Sequence, residues 1–283
     1  SPGRRLLTAD DVNLGATSLE KTFTILDAAG QTTTFDSLLW TARASTNDNH
    51  VYEVGNGGSS SYNAAVVHVK KAESRGIGFD VSYTWSHSIS NTGGPWAVTS
   101  VPLSTFNGDP SADRGDASTD QRHRLVAVWS WHPRLTASDS WFARYLVNGW
   151  QHSAIATFAS ALPATALVQV IGQPFSGYTV THATSWNGSG GWSRLPSDPV
   201  NSLRLGPQYT VNARLARNLP FGETIQGSLA VELFNVFDNQ FTTGIDAIMY
   251  TASASTIRRI TGAGAANAAS SPRSAQLAFR LNF

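Results

Sequence analysis

The sequence predicts an all-β chain, a transmembrane antiparallel β-barrel with about nine strands in hand. Three observations carry that reading. The last ten residues alternate strictly, with Leu277, Phe279, Leu281 and Phe283 on one face and Gln276, Ala278, Arg280 and Asn282 on the other. A period of two is a strand with one apolar and one polar face, and about ten residues is what a tilted strand needs to cross a bilayer. Similar segments recur along the chain. The connections between them fall into two length classes that alternate, short then long, as the two ends of an outer-membrane barrel do.

The elements follow in order. Residues 20–27 and 31–41 flank Ala28-Ala29-Gly30 and read as a tight hairpin. A polar stretch rich in Asn, Gly and Ser runs to about residue 61. Tyr62 to Lys71 and Ile77 to Ser88 form the next pair around Ala72-Glu-Ser-Arg-Gly76. In its second strand, Ile77, Phe79, Val81, Tyr83 and Trp85 oppose Gly78, Asp80, Ser82, Thr84 and Ser86. After a long loop to Asp120, strands at 121–132 and 145–160 flank a turn at 133–144. The stretch 161–207 reads as a very long irregular loop. Strands at 208–218 and 223–236 flank Leu219-Pro-Phe-Gly222, and a loop at 237–273 leads into the final strand. The turns at 28–30, 72–76, 133–144 and 219–222 are expected on the periplasmic side. The loops near 42–61, 89–120, 161–207 and 237–273 are expected outside.

Composition narrows the function classes. The 283 residues carry a net charge of +1, which leaves no electrostatic footprint for nucleic acid. Only 14% of residues are charged, well below the usual quarter, and there is no cysteine, so disulfide and thiol chemistry are excluded. No apolar run reaches the length of a transmembrane helix, a test to which barrel strands are invisible. The first residue is Ser1, with no signal-type hydrophobic run after it, which gives the expectation of a piece of a longer chain.

Candidate side chains group into four sets. Trp85, Trp129, Trp131, Trp150 and Tyr209 fall near strand ends, where an interfacial aromatic belt is expected. Trp96, Tyr178, Trp186 and Trp192 lie in the long loops, where a ring either stacks on a sugar or other flat ligand or packs within the loop. Asp109, Asp113, Asp116 and Asp120, with Arg114, Arg122, His123 and Arg124, form the densest charge cluster. The interleaved arginines oppose a cation site and suit an Arg–Asp network on the lumenal wall. Asp80, Arg214, Glu232 and Arg280 occupy polar strand faces and extend that lumenal network. No histidine pair has metal-ligand spacing, and no nucleophile elbow, phosphate loop or dinucleotide fingerprint occurs. No enzymatic activity, metal or cofactor is expected.

Several stretches together resemble TonB-dependent outer-membrane receptors, in particular the carboxypeptidase-regulatory-domain-containing group of Acidobacteria-like bacteria. They are Ser60-Ser-Tyr-Asn-Ala64 with Lys70-Lys71, Gly78-Phe-Asp-Val-Ser-Tyr-Thr-Trp-Ser-His-Ser88, Asp113-Arg-Gly115 and Asp120-Gln-Arg-His-Arg-Leu125. Asn148-Gly-Trp-Gln151, Asn201-Ser-Leu-Arg204, Glu232-Leu-Phe-Asn-Val-Phe237 and Pro272-Arg273 complete the ordered set. The resemblance implies that residues 1–283 are the C-terminal part, about 9–10 strands, of a barrel of about 22 strands. It also implies a plug and an energy-coupling segment contributed by an upstream part that contacts the TonB complex, and uptake of a scarce ligand such as a siderophore or oligosaccharide. Phe279, Leu281 and Phe283 would then form the C-terminal signal read by the outer-membrane assembly machinery. Where relatives often carry an Asn-Gly-Asp-Gly-type turn, this chain has Asn187-Gly-Ser-Gly-Gly191, so no cation site is expected there. A passive porin-like barrel and a soluble all-β binding module are the alternatives.

Overall fold

The structure is a computed structural model that describes residues 4–282 except 12–14, 28, 46, 48–50, 92–112, 139, 172–183, 185, 187–191, 196, 221–225 and 254–255. Its strands are β1 (Arg4–Asp11), β2 (Gly15–Leu26), β3 (Thr32–Arg43), β4 (Tyr52–Ser74), β5 (Ile77–Ser90), β6 (Gly115–Asp116) and β7 (His123–Trp131). After a π-helical turn (Ala143–Val147) come β8 (Trp150–Ala159), β9 (Pro163–Ala164), β10 (Leu167–Val170), β11 (Trp192–Arg194), β12 (Leu203–Arg204), β13 (Gln208–Pro220) and β14 (Gln226–Phe234). The chain ends with β15 (Thr242–Ile245), β16 (Ile248–Ser253), β17 (Thr256–Arg259), β18 (Ala266–Ala269) and β19 (Ser274–Asn282).

The strands form two principal sheets. The larger has the order β1-β4-β5-β7-β8-β13-β14-β19, with β6 added to β5, and every pairing is antiparallel. This is the wall. Its register keeps the predicted faces continuous across strands. Ile77, Trp131, His152, Leu215, Val231 and Leu277 follow one another in a single cross-strand row. All but His152 are large apolar side chains, and all five of these are substantially exposed. One residue along, Gly78, Ser130, Ser153, Arg214, Glu232 and Gln276 form the neighbouring row on the opposite, polar face. A protein surface seldom leaves so large an apolar area open to water, so this face is shaped for lipid.

The second sheet corrects the sequence-based assignment. Its order is β11-β10-β16-β17-β2-β3. The hairpin at 20–41, expected as wall, is the longest part of it. Wall strand β1 ends at Asp11, opposite Tyr52 of β4, and the hairpin lies in the excursion between them. The tip of β2 pairs with β17, which belongs to the connection between β14 and β19. The turn at 28–30 therefore belongs with the long connections and not with the short turns. The loops at 161–207 and 237–273, expected as irregular, supply the other four strands. A core of Phe23, Leu39, Val168, Trp186, Leu195, Ala252 and Ile257 holds this outer sheet together. Phe23 lies between Phe35 and Trp186, at ring-centroid distances of 5.6 and 5.1 Å. Alternation shows that a strand buries one face but not what covers it. Here the cover is protein, not lipid.

With the hairpin reassigned, the wall strands on this path are joined long, short, long, short, long, short, long. The stretch 42–61, expected as an outer loop, is in large part the upper half of β4, which β1 pairs.

Candidate functional site

On the polar face the wall pairs several of its charges. Asp80 accepts a 2.7 Å hydrogen bond from His68, and the Lys70 ammonium lies 4.0 Å from the same carboxylate. The Nε of Arg214 donates to Glu232 across β13 and β14 at 3.0 Å. Arg280 is exposed in β19, in register with Ser228. These groups are half in water, so each pair contributes little to stability, about 0.2–1 kcal/mol. Their placement matters more: along the middle of these strands the apolar face carries no charge, and Lys71 and Arg217 stand on it only toward the short-turn end.

The denser cluster expected on the lumenal wall lies instead at the rim where the long connections leave it, and only part of it is mutual. The carboxylate of Asp120 is fully buried. It accepts the Ser88 backbone N–H at 2.7 Å and the Arg122 Nε–H at 2.8 Å, closing β5 against β7. Arg122 reaches on to Asp116 at 2.9 Å, and His87 lies 3.1 Å from the same carboxylate. Arg204 completes the set around Asp116. Burial works to raise the Asp116 pKa, but hydrogen bonds from Arg204 and His87 and the charge of Arg122 outweigh it and hold the carboxyl below its ordinary value. Asp113 pairs with Arg194 at 2.9 Å, both side chains almost wholly buried. Arg124 donates to the Gln121 side chain at 3.1 Å, and Arg114 is exposed.

Arg194 and Arg204, with Asn201, are the members sequence reasoning missed. All three come from a loop some 80–90 residues away along the chain. Asn201 is buried in the left-handed region (φ 55°). It donates from Nδ2 to the Asp116 carbonyl at 2.6 Å and exchanges two 2.9 Å hydrogen bonds with Thr165. Gly115 completes the fit: a Cβ there would stand 2.3 Å from Val200 Cγ1. Two of the ordered motifs, Asp113-Arg-Gly115 and Asn201-Ser-Leu-Arg204, thus meet in space as a clasp between wall and outer loop. Their shared presence in the sequence was the available signal. A second motif behaves alike. Asn235, also at positive φ (51°), donates its backbone N–H to the Asn212 side-chain Oδ1 and its side-chain Nδ2 to the carbonyls of Asn239 and Ser271, while Asp238 accepts from the Arg273 N–H. That ties the top of β14 to the start of β19.

The loop aromatics divide. Trp186 is 1% exposed and packs in the outer-sheet core, so it presents no ring to a ligand, which corrects its assignment as a contact residue. Trp192 is 40% exposed at the edge strand β11. Trp96, Tyr178 and Phe283, with Asp109 and Asn187-Gly-Ser-Gly-Gly191, lie outside the described residues. Phe279 and Leu281 are exposed on the apolar face of β19, whose other edge pairs with no strand among the described residues. On the polar face, Thr210, Asn212, Asn235 and Ser270 line an open cleft of about 300 Å³ below the outer connections.

No curated protein and no solved structure matches the chain. A family model described as an outer membrane beta barrel domain matches residues 1–276. With an apolar face shaped for lipid, a polar face that carries charged pairs and that match along nearly its whole length, the chain belongs to the outer membrane beta barrel domain family and is a protein of the bacterial outer membrane.

Proposed function

We propose that this chain is the C-terminal barrel portion of a TonB-dependent receptor that takes up a scarce ligand of the siderophore or oligosaccharide class. The observation that carries the reading is the outer sheet. Three of the long connections contribute strands to one folded layer with its own core, clasped to the rim through Asp113–Arg194 and Asp116–Arg204. A fixed outer layer suits capture of one ligand better than free diffusion, which needs only a water-filled opening. The ordered motifs that resemble the receptor family support the same reading, since two of them are partners in the clasp. In this scheme outer loops capture the ligand, the polar face and a plug hold it, and energy from the inner membrane moves the plug. No covalent chemistry is needed. The wall would be completed to about 22 strands by the rest of a longer protein, and β19 would be the strand read by the assembly machinery.

The test uses cells carrying the full-length gene. Ligand uptake should saturate at low external concentration and vanish when the TonB complex is deleted. Uptake that rises linearly with concentration and survives that deletion would identify a passive pore instead.

A further inference from the structure

The connection between β7 and β8 is the longest of the short-turn end, and it is built rather than slack. Asn148 accepts the backbone N–H groups of Leu135 and Thr136 at 2.9 and 3.2 Å and returns a bond to the Thr136 carbonyl. Ser140 caps the N–H of Ala143, where the π-helical turn begins. Two contacts then fix the direction in which this turn folds. Trp150 and Arg217 are register partners, and by alternation from His152 and Leu215 both lie on the apolar face of the wall. The Trp150 indole N–H donates to the Leu146 carbonyl at 3.3 Å. Arg217 stacks on the Trp150 ring at 5.0 Å and donates to the Tyr145 carbonyl. The helical turn is therefore strapped to the outside of the wall, not tucked under its polar face.

In that position it exposes Trp141 at 70% and Phe142 at 59%, with Leu135 and Leu146 also open. Trp141 and Tyr145 lie side by side with ring centroids 6.1 Å apart. We infer that the 133–149 turn is a membrane anchor that lays Trp141, Phe142 and Leu146 into the phospholipid leaflet at the periplasmic end of the wall. Continuity selects lipid as the occupant. The exposed rings extend the same face that carries Trp131, Leu215, Val231 and Leu277. Trp and Tyr, with an apolar body and a polar tip, favour the headgroup boundary. Backbone that enters this region must have its polar groups satisfied, and Asn148 and Ser140 bond those of Leu135, Thr136 and Ala143. The inference rests on the apolar face meeting lipid and holds for receptor and passive pore alike.

Residues 1–283 hold no cysteine, so one placed among them is labelled alone once any cysteine elsewhere in the full-length protein is replaced by serine. Phe142→Cys in the full-length protein, carrying an environment-sensitive fluorophore, is reconstituted into phosphatidylethanolamine–phosphatidylglycerol vesicles. Leu229→Cys on the lipid face and Ser197→Cys in an outer loop serve as references. The 142 label should be blue-shifted, and shallow doxyl-labelled phospholipid should quench it more than deep. An unshifted emission like that at 197 would overturn the anchor. A blue shift without doxyl quenching would mean that protein covers the turn, and would overturn it too. An unquenched label at 229 would remove the face assignment beneath the inference, whereas loss of TonB-dependence would leave it intact.

Discussion

Asp116 gathers three cationic or hydrogen-bonding partners from three parts of the chain: His87 on β5, Arg122 before β7 and Arg204 in the outer connection. Its folded pKa is lowered. Its contribution to the clasp is therefore present above the ordinary aspartate value and is lost as pH falls through the folded value. Arg204 is partly exposed, so the contribution is about 1 kcal/mol. Backbone amides of 192–204 should lose protection on acidification below about pH 4, and Asp116→Asn should remove that step, as hydrogen exchange in membranes would show. Asp198 has the opposite sign. Burial raises its carboxyl, so its share is greatest at low pH and fades as pH rises through the folded value. At Gly115 the constraint is steric. A methyl group at this position meets Val200 Cγ1 at 2.3 Å, so Gly115→Ala should cost about 1–3 kcal/mol by overpacking. The cost should appear as faster proteolysis of the 192–204 loop, with the wall's folding unchanged. The acids of this cluster were legible as a dense run of charge. Their partners were not, because Arg194, Asn201 and Arg204 stand in a stretch without periodicity, and only folding brings them to the rim.

At the scale of the element, β19 shows how one residue step changes the solvent. Leu277 is 75% exposed on the apolar face opposite Val231, and Gln276 faces Glu232 on the polar side. Leu277→Arg should cost about 2–4 kcal/mol if it sits near the bilayer midplane, while Gln276→Arg gains a carboxylate neighbour and should be close to neutral. Membrane assembly measured by heat-shifted electrophoresis should fall for the first and hold for the second; the reverse would invert every face assignment, since the register links all the wall strands. These strands were readable because each must satisfy lipid on one side and water on the other, which writes a strict period of two into β5, β13 and β19. The hairpin β2–β3 obeys the same period for another reason, the burial of Phe23 and Leu39 in the core that includes Trp186. Periodicity could not separate the two. The short strands β9 to β12 and β15 to β18 left no pattern, because segments of two to six residues are too brief for alternation to register.

The whole molecule is two layers with different cohesion. The wall is held by antiparallel ladders and by lipid on its apolar face. The outer sheet is held by an ordinary protein core whose members come from residues 23 to 257. None of those seven core residues lies in a wall strand, so the two layers should lose structure separately. Phe23→Ala removes the ring that stands between Phe35 and Trp186, and truncating an aromatic in such a core costs about 3–5 kcal/mol. The expected outcome is an outer sheet that opens to protease while the wall stays inserted and keeps its heat-modified mobility. Trp186→Ala should reproduce it, and the double variant should cost less than the sum, because the two rings share one contact. If the receptor reading holds, Phe23→Ala should also weaken ligand capture at low concentration with membrane abundance unchanged, since capture depends on the fixed outer layer. Simultaneous loss of wall and outer sheet in either variant would show one cooperative unit, and the clasp at Asp113 and Asp116 would then be structural support for the wall rather than the joint between two layers.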